Sequence, residues 1–121
     1  MKKFKASELH EDARGKFWGI TRENWAEVNY IETCAGQVRG NHYHRYTREL
    51  FFIISGEIEV TIEHQQSGER QVLDLGKGDL LLIEPLEIHV FCTKTDAEWL
   101  NMLSQALDPE KPDFYRPGEE P

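Results

Sequence analysis

The sequence predicts an all-β domain, a sandwich or jelly roll, on three observations. Apolar and polar residues alternate with period two from about residue 27 to 103, turn residues separate the alternating runs, and no segment sustains a helical period beyond two turns. Taken in order, Glu27 to Thr33 alternates imperfectly through Val28, Tyr30 and Ile31. Glu49 to Ser55 is a nearly continuous apolar run, and Glu57 to His64 puts Ile58, Val60 and Ile62 on one face. Ser55-Gly56 predicts a hairpin turn between these two strands, and Ser67-Gly68 predicts another. Gly76-Lys77-Gly78-Asp79 opens the apolar strand Leu80 to Ile83, and further strands follow at Ile88 to Thr93 and Ala97 to Leu103. After Leu107 the composition changes, with Pro109, Pro112, Pro117 and Pro121 set among acids. Proline cannot donate to a strand ladder, so residues 1–107 are expected to form the domain and residues 108–121 a Pro-rich acidic tail along its surface.

The 121 residues match one domain, and an apolar share of 39% with six phenylalanines, four tyrosines and three tryptophans supplies a core. A chain of this length buries roughly two-thirds of its unfolded surface, so a bound metal would serve function rather than bulk stability. A net charge of -8 excludes the dense basic face that nucleic acid demands. Arg14, Arg39, Arg45 and Arg48 remain available for a small anionic ligand. The start MKKFKASELHED lacks an apolar leader core, and no apolar run approaches the ~20 residues that cross a bilayer. A cytoplasmic protein with no membrane partner is the expectation. Cys34 and Cys92 are too few for a disulfide framework and are expected as small buried apolar residues.

The chemistry concentrates between Gly36 and Gly56. On a strand, His42 and His44 lie two apart and aim both imidazoles at one face. Glu49 follows after a turn and returns a carboxylate toward the same point, and His89, flanked by Ile88 and Val90, is the histidine in a strand context that can complete the set. Three imidazoles and a carboxylate suit zinc, iron, manganese, nickel or copper. An ion that accepts five or six ligands keeps positions for water or substrate oxygens.

Gly36 to Gly56 matches G-x5-H-x-H-x4-E-x6-G at every defined position, and this stretch resembles the first motif of the cupin superfamily. Gly78 to Thr93 resembles the second motif with departures: Pro85 stands one residue closer to His89, Glu87 lies near the expected glycine, and Thr93 replaces the asparagine. The resemblance implies a double-stranded β-helix, the cupin barrel, as a single domain holding one divalent ion, zinc favoured, on His42, His44, Glu49 and His89. Asp12-Ala-Arg14-Gly15-Lys-Phe17 resembles an element of dTDP-4-dehydrorhamnose epimerases, and Val38-Arg39-Gly40-Asn-His42 is similar to a stretch in these enzymes and in sugar 3,4-ketoisomerases. That resemblance implies that Arg14 and Arg39 hold a nucleotide pyrophosphate, a role suited to a planar, permanently charged guanidinium. Gly-Asn-His-x-His and Asp108-Pro109-Glu-Lys-Pro112-Asp113-Phe-Tyr115 are similar to the carboxy-terminal cupin domain of capsular-polysaccharide assembling proteins.

Together these resemblances imply an epimerase or isomerase of a nucleotide-linked 4-keto-6-deoxyhexose in polysaccharide biosynthesis. They also imply a homodimer in which Arg14 serves the partner's site. A histidine that ligates a metal is not free to be a base, so His42 cannot fill both roles, and Tyr30, Tyr43 and Tyr46 are the candidate proton donors. The fold alone does not choose a reaction. The rivals are a non-catalytic metal- or sugar-binding cupin and an iron-dependent cupin dioxygenase, the latter disfavoured by the paired arginines.

Overall fold

The apolar runs become the centres of two facing antiparallel sheets. The structure is a computed structural model describing residues 1–121, and it contains eleven strands and no helix. They are β1 (Lys2–Lys5), β2 (Ser7–Asp12), β3 (Gly15–Gly19), β4 (Glu27–Thr33), β5 (Val38–His42), β6 (Glu49–Ser55), β7 (Ile58–His64), β8 (Arg70–Leu75), β9 (Asp79–Ile83), β10 (Glu87–Thr93) and β11 (Ala97–Leu103). One sheet has the order β1-β9-β6-β11-β4, the other β5-β10-β7-β8, and β2-β3 form a separate hairpin. No helix is long and apolar enough to cross a membrane.

Between the sheets lies a core that includes Phe51, Ile53, Val60, Leu81, Phe91 and Trp99. Each such side chain contributes roughly 1.5–3 kcal/mol on burial. β6 reads as continuously apolar because both of its faces are covered. Phe51 and Ile53 enter the core, while Leu50 and Phe52 join a second cluster with Ala6, Ile20 and Trp25.

Three expectations change. Ser55-Gly56 is not a hairpin: β6 and β7 belong to different sheets, and the chain turns a corner there. Gly56 has φ 95, and a Cβ on it would meet Asp96 O at 2.4 Å. The Ser67-Gly68 hairpin stands, joining the paired strands β7 and β8. On β4, Val28 and Tyr30 face solvent, and the inward positions belong to Glu27, Asn29, Ile31 and Thr33. Cys34 is exposed in the turn after β4 and Cys92 is only half-buried, so neither is the core residue expected.

Candidate functional site

β5 and β10 are antiparallel neighbours, and their register sets His42 directly opposite His89, next to an irregularity between His89 and Val90. Gly40, with φ 89, permits this approach, since a Cβ there would stand 2.5 Å from His89 O. His44 is not on the strand as expected. β5 ends at His42 and Tyr43 makes one isolated bridge to Tyr115, yet both imidazoles still converge. Glu49, the first residue of β6, enters from the facing sheet.

One ligand atom from each of His42, His44, Glu49 and His89 lies within 4.8 Å of the other three. His42 Nε2 and His89 Nε2 are 3.1 Å apart, and His89 Nε2 lies 3.5 Å from Glu49 Oε1. His44 Nε2 contacts the same Glu49 oxygen. His89 Nδ1–H donates to Glu87 O at 3.0 Å, and His44 Nδ1–H donates to Asp113 O at 2.6 Å. Two nitrogens bound to a cation at ~2.0–2.1 Å stand about 3 Å apart, so the donor spacing fits one divalent ion. Burial and the neighbouring His89 and His44 push His42 down to about 3. Burial also lowers His44, but its contacts with the Glu49 carboxylate and Asp113 outweigh that and leave its pKa raised. Burial alone would raise Glu49, yet the hydrogen bonds from His44 and His89 hold it well below the ordinary carboxylate range.

The cluster opens into a cavity of about 270 Å³. Phe51, Phe91 and Trp99 give it an apolar floor, Glu27, Asn29 and Asn101 a polar wall. Asn101 Nδ2 donates to Glu49 Oε2 at 3.2 Å, and its Oδ1 is buried without a partner. Arg39 lines the mouth, its Nε donating to Thr33 Oγ1 at 2.8 Å and its Nη2 to Glu32 O at 3.2 Å. Phe114 covers His42, with ring centroids 4.4 Å apart.

The tetrad and Arg39 are therefore brought together, and Arg14 is not among them. Arg14 is exposed at the tip of the β2–β3 hairpin, and its Nη2 donates to Asp12 Oδ2 at 2.6 Å. The three candidate tyrosines do not line the cavity. Tyr30 is exposed and donates to Glu98 Oε2 at 2.8 Å, buried Tyr43 donates to Glu119 O, and Tyr46 is exposed. Sequence reasoning missed Asn29, Asn101, Asp113 and Phe114. For Asn101 a signal existed, because the alternation Ala97, Trp99, Asn101, Leu103 places it on the inward face of β11.

Two sheets facing across an imidazole cluster give this chain the jelly-roll fold of the cupins. Within that class the chain belongs to the polysaccharide biosynthesis C-terminal domain family, whose model matches residues 10–115. The chain is similar in fold to QdtA, a sugar 3,4-ketoisomerase from Thermoanaerobacterium thermosaccharolyticum solved with TDP (TM-score 0.79, 20% identity, covering 95% of this chain and 86% of that one). It is also similar to dTDP-4-dehydrorhamnose 3,5-epimerase from Sulfolobus tokodaii (TM-score 0.73, 21% identity, 84% and 69% covered). A third similar structure is the capsular polysaccharide assembling protein CapF from Staphylococcus aureus (TM-score 0.70, 23% identity), where 92% of this chain covers 34% of that one. Comparison with curated protein sequences gives no match.

Proposed function

We propose that this chain is a metal-dependent epimerase or isomerase acting on a nucleotide-linked 4-keto-6-deoxyhexose in polysaccharide biosynthesis. The observation that carries the reading is the convergence of His42, His44, His89 and Glu49 beneath a cavity with Arg39 at its mouth. A bound divalent ion, zinc favoured and iron, manganese or nickel the other options, supplies Lewis acidity toward a sugar carbonyl. The cavity lies at the small end of ligand pockets, so the sugar enters and the nucleotide stays along the rim. There Arg39 presents its guanidinium to the pyrophosphate. Phe114 and the aromatic floor exclude water, and Asn29 and Asn101 bond sugar hydroxyls from the wall. The reaction requires a proton to leave the carbon beside the ketone and to return on the other face, or at the neighbouring carbon.

Elemental analysis of protein purified without added metal, against a His42→Ala/His44→Ala double variant, tests the site. Equal metal in both removes it. Incubation with UDP- and dTDP-4-keto-6-deoxyhexoses in deuterium oxide tests the reaction, which predicts deuterium at the carbon beside the ketone.

One observation favours a second reading, a non-catalytic metal- and sugar-binding cupin. Outside the tetrad, the ionisable groups lining the cavity are Arg39 and Glu27, and both Glu27 oxygens already accept hydrogen bonds, from Asn29 Nδ2 at 2.8 Å and Leu107 N at 3.0 Å. Bound metal without deuterium uptake selects this alternative.

The protein works in the cytoplasm as a homodimer. Leu9, Phe17 and Trp18 of the β2–β3 hairpin are exposed and offer an apolar surface to a second copy, and the same hairpin carries Arg14, the residue assigned to the partner's site. Light scattering that reports a monomer at micromolar concentration removes the dimer.

A further inference from the structure

We propose that Asp113 is a positioning residue of the metal centre: it shapes the loop that carries His44 and fixes which nitrogen of that ring faces the ion. The inference rests on the tetrad being a metal site, and it gives the Pro-rich tail a role that its composition conceals.

The segment from Tyr43 to Arg48, between β5 and β6, forms no regular strand, yet it must hold His44 and deliver Glu49. Three of its backbone donors are satisfied from 66 to 68 residues away. Arg45 N donates to Asp113 Oδ1 at 2.9 Å, while Tyr46 N at 2.8 Å, Thr47 N at 2.9 Å and Thr47 Oγ1 at 2.8 Å all donate to Asp113 Oδ2. Hydrogen bonds to a carboxylate are roughly twice as strong as neutral ones. Four on one side chain define the loop where no ladder does. The flanks are tied as well. Tyr43 and Tyr115 exchange both backbone bonds, at 2.9 and 3.0 Å, and Arg116 Nη1 reaches Gly40 O and Asn41 O, each at 3.2 Å.

The main chain of Asp113 adds the second effect. Its carbonyl stands 2.6 Å from His44 Nδ1. A carbonyl only accepts, so Nδ1 must carry a proton, and the Nε2 lone pair is the one left for a cation. His89 is held in the same sense by Glu87 O, two residues away on its own strand. For His44 the orienting group comes from a distant segment, so the tail is part of the centre rather than a cover over it.

Zinc is the probe. A long-range 1H–15N spectrum of the zinc-loaded wild type is expected to show His44 protonated at Nδ1 and bound through Nε2. Coordination through Nδ1, or a proton on Nε2, overturns the proposal without any variant. Asp113→Ala is expected to weaken zinc binding ~10–100-fold, the range for loss of a partner that orients a ligand. Asp113→Asn keeps one acceptor oxygen for the Tyr46 and Thr47 donors and is expected to recover part of the loss. Melting of both variants without zinc confirms that they fold, and should Asp113→Ala fail to fold, the wild-type spectrum still decides. Wild type that binds zinc while Asp113→Ala binds it equally removes the proposal alone, whereas wild type that binds no zinc removes the tetrad's assignment and the proposal with it.

Discussion

Replacing Gly40 by alanine tests the closest backbone approach in the site. The substitution brings two separable costs. Gly40 has φ 89, a region that costs an L-residue about 1–2 kcal/mol. Its new Cβ would lie 2.5 Å from His89 O, and a backbone carbonyl cannot swing aside as a flexible side chain can. β5 must retreat from β10, at an overpacking cost of about 1–3 kcal/mol. The sum is about 2–5 kcal/mol, which for 121 residues lowers Tm by about 8–20 °C. The same retreat moves His42 off His89, and catalytic constellations tolerate only ~0.5 Å, so zinc binding weakens at least ~10-fold. Gly68→Ala is the control: Gly68 has φ 74 with nothing within 4 Å of a Cβ, so it carries the backbone cost alone and leaves zinc binding unchanged. Thermal melting of the metal-free proteins and chelator competition for zinc give both quantities. Equal melting of the two variants with equal zinc affinity would refute the steric argument.

Glu49→Gln keeps the side-chain shape but removes the anionic ligand; zinc affinity measured by chelator competition should fall by more than the ~10–100-fold caused by losing a supporting partner. Arg39→Ala is expected to weaken dTDP or UDP binding by about 1.5–3 kcal/mol in calorimetry while leaving metal content unchanged, and undiminished affinity ends the role given to Arg39. Burial raises Asp79, but Lys5 Nζ at 2.5 Å and the Gly76 N–H at 2.8 Å outweigh it and hold the carboxyl below its ordinary value. Its contribution to stability is therefore complete above the unfolded pKa of about 3.9 and fades as pH falls through the lower folded value. Urea melts should show wild type and Asp79→Asn separated at pH 7 and converging below about pH 4, and because Lys5 stands largely in solvent the separation is small.

The strands from Glu27 to Leu103 were legible where alternation reports one buried face or where a continuous apolar run reports two, as in β6. The strands that went unread, β1, β2 and β3, are edge or hairpin strands with mostly exposed residues, and β8, implied only by the Ser67-Gly68 turn, is as exposed, so polarity carries no period there. Ser55-Gly56 offered turn chemistry, and turn chemistry is the same whether the chain folds back on its neighbour or crosses to another sheet. β4 misled for a different reason. Its inward positions include Glu27 and Asn29 because they form the polar wall of the cavity, so the site inverts the pattern that marks a core face. The tetrad was readable because its spacing is local for His42, His44 and Glu49 and its strand context favoured His89. The role of Asp113 was not: its segment stood out only as a resemblance, and nothing in its own neighbourhood says that its carboxylate organises a loop 66 residues away.

Thr33 Oγ1 accepts from both Trp99 Nε1, at 3.1 Å, and Arg39 Nε, at 2.8 Å. A single hydroxyl thus bridges the indole in the cavity floor and the guanidinium at its mouth. An anion that pulls on Arg39 is expected to redistribute that shared acceptor and to shift the emission of the buried indole with it. Anion titration followed by tryptophan emission, wild type against Thr33→Val, tests whether this indole gauges rim occupancy above the background of Trp18 and Trp25, and an identical response in both ends the idea.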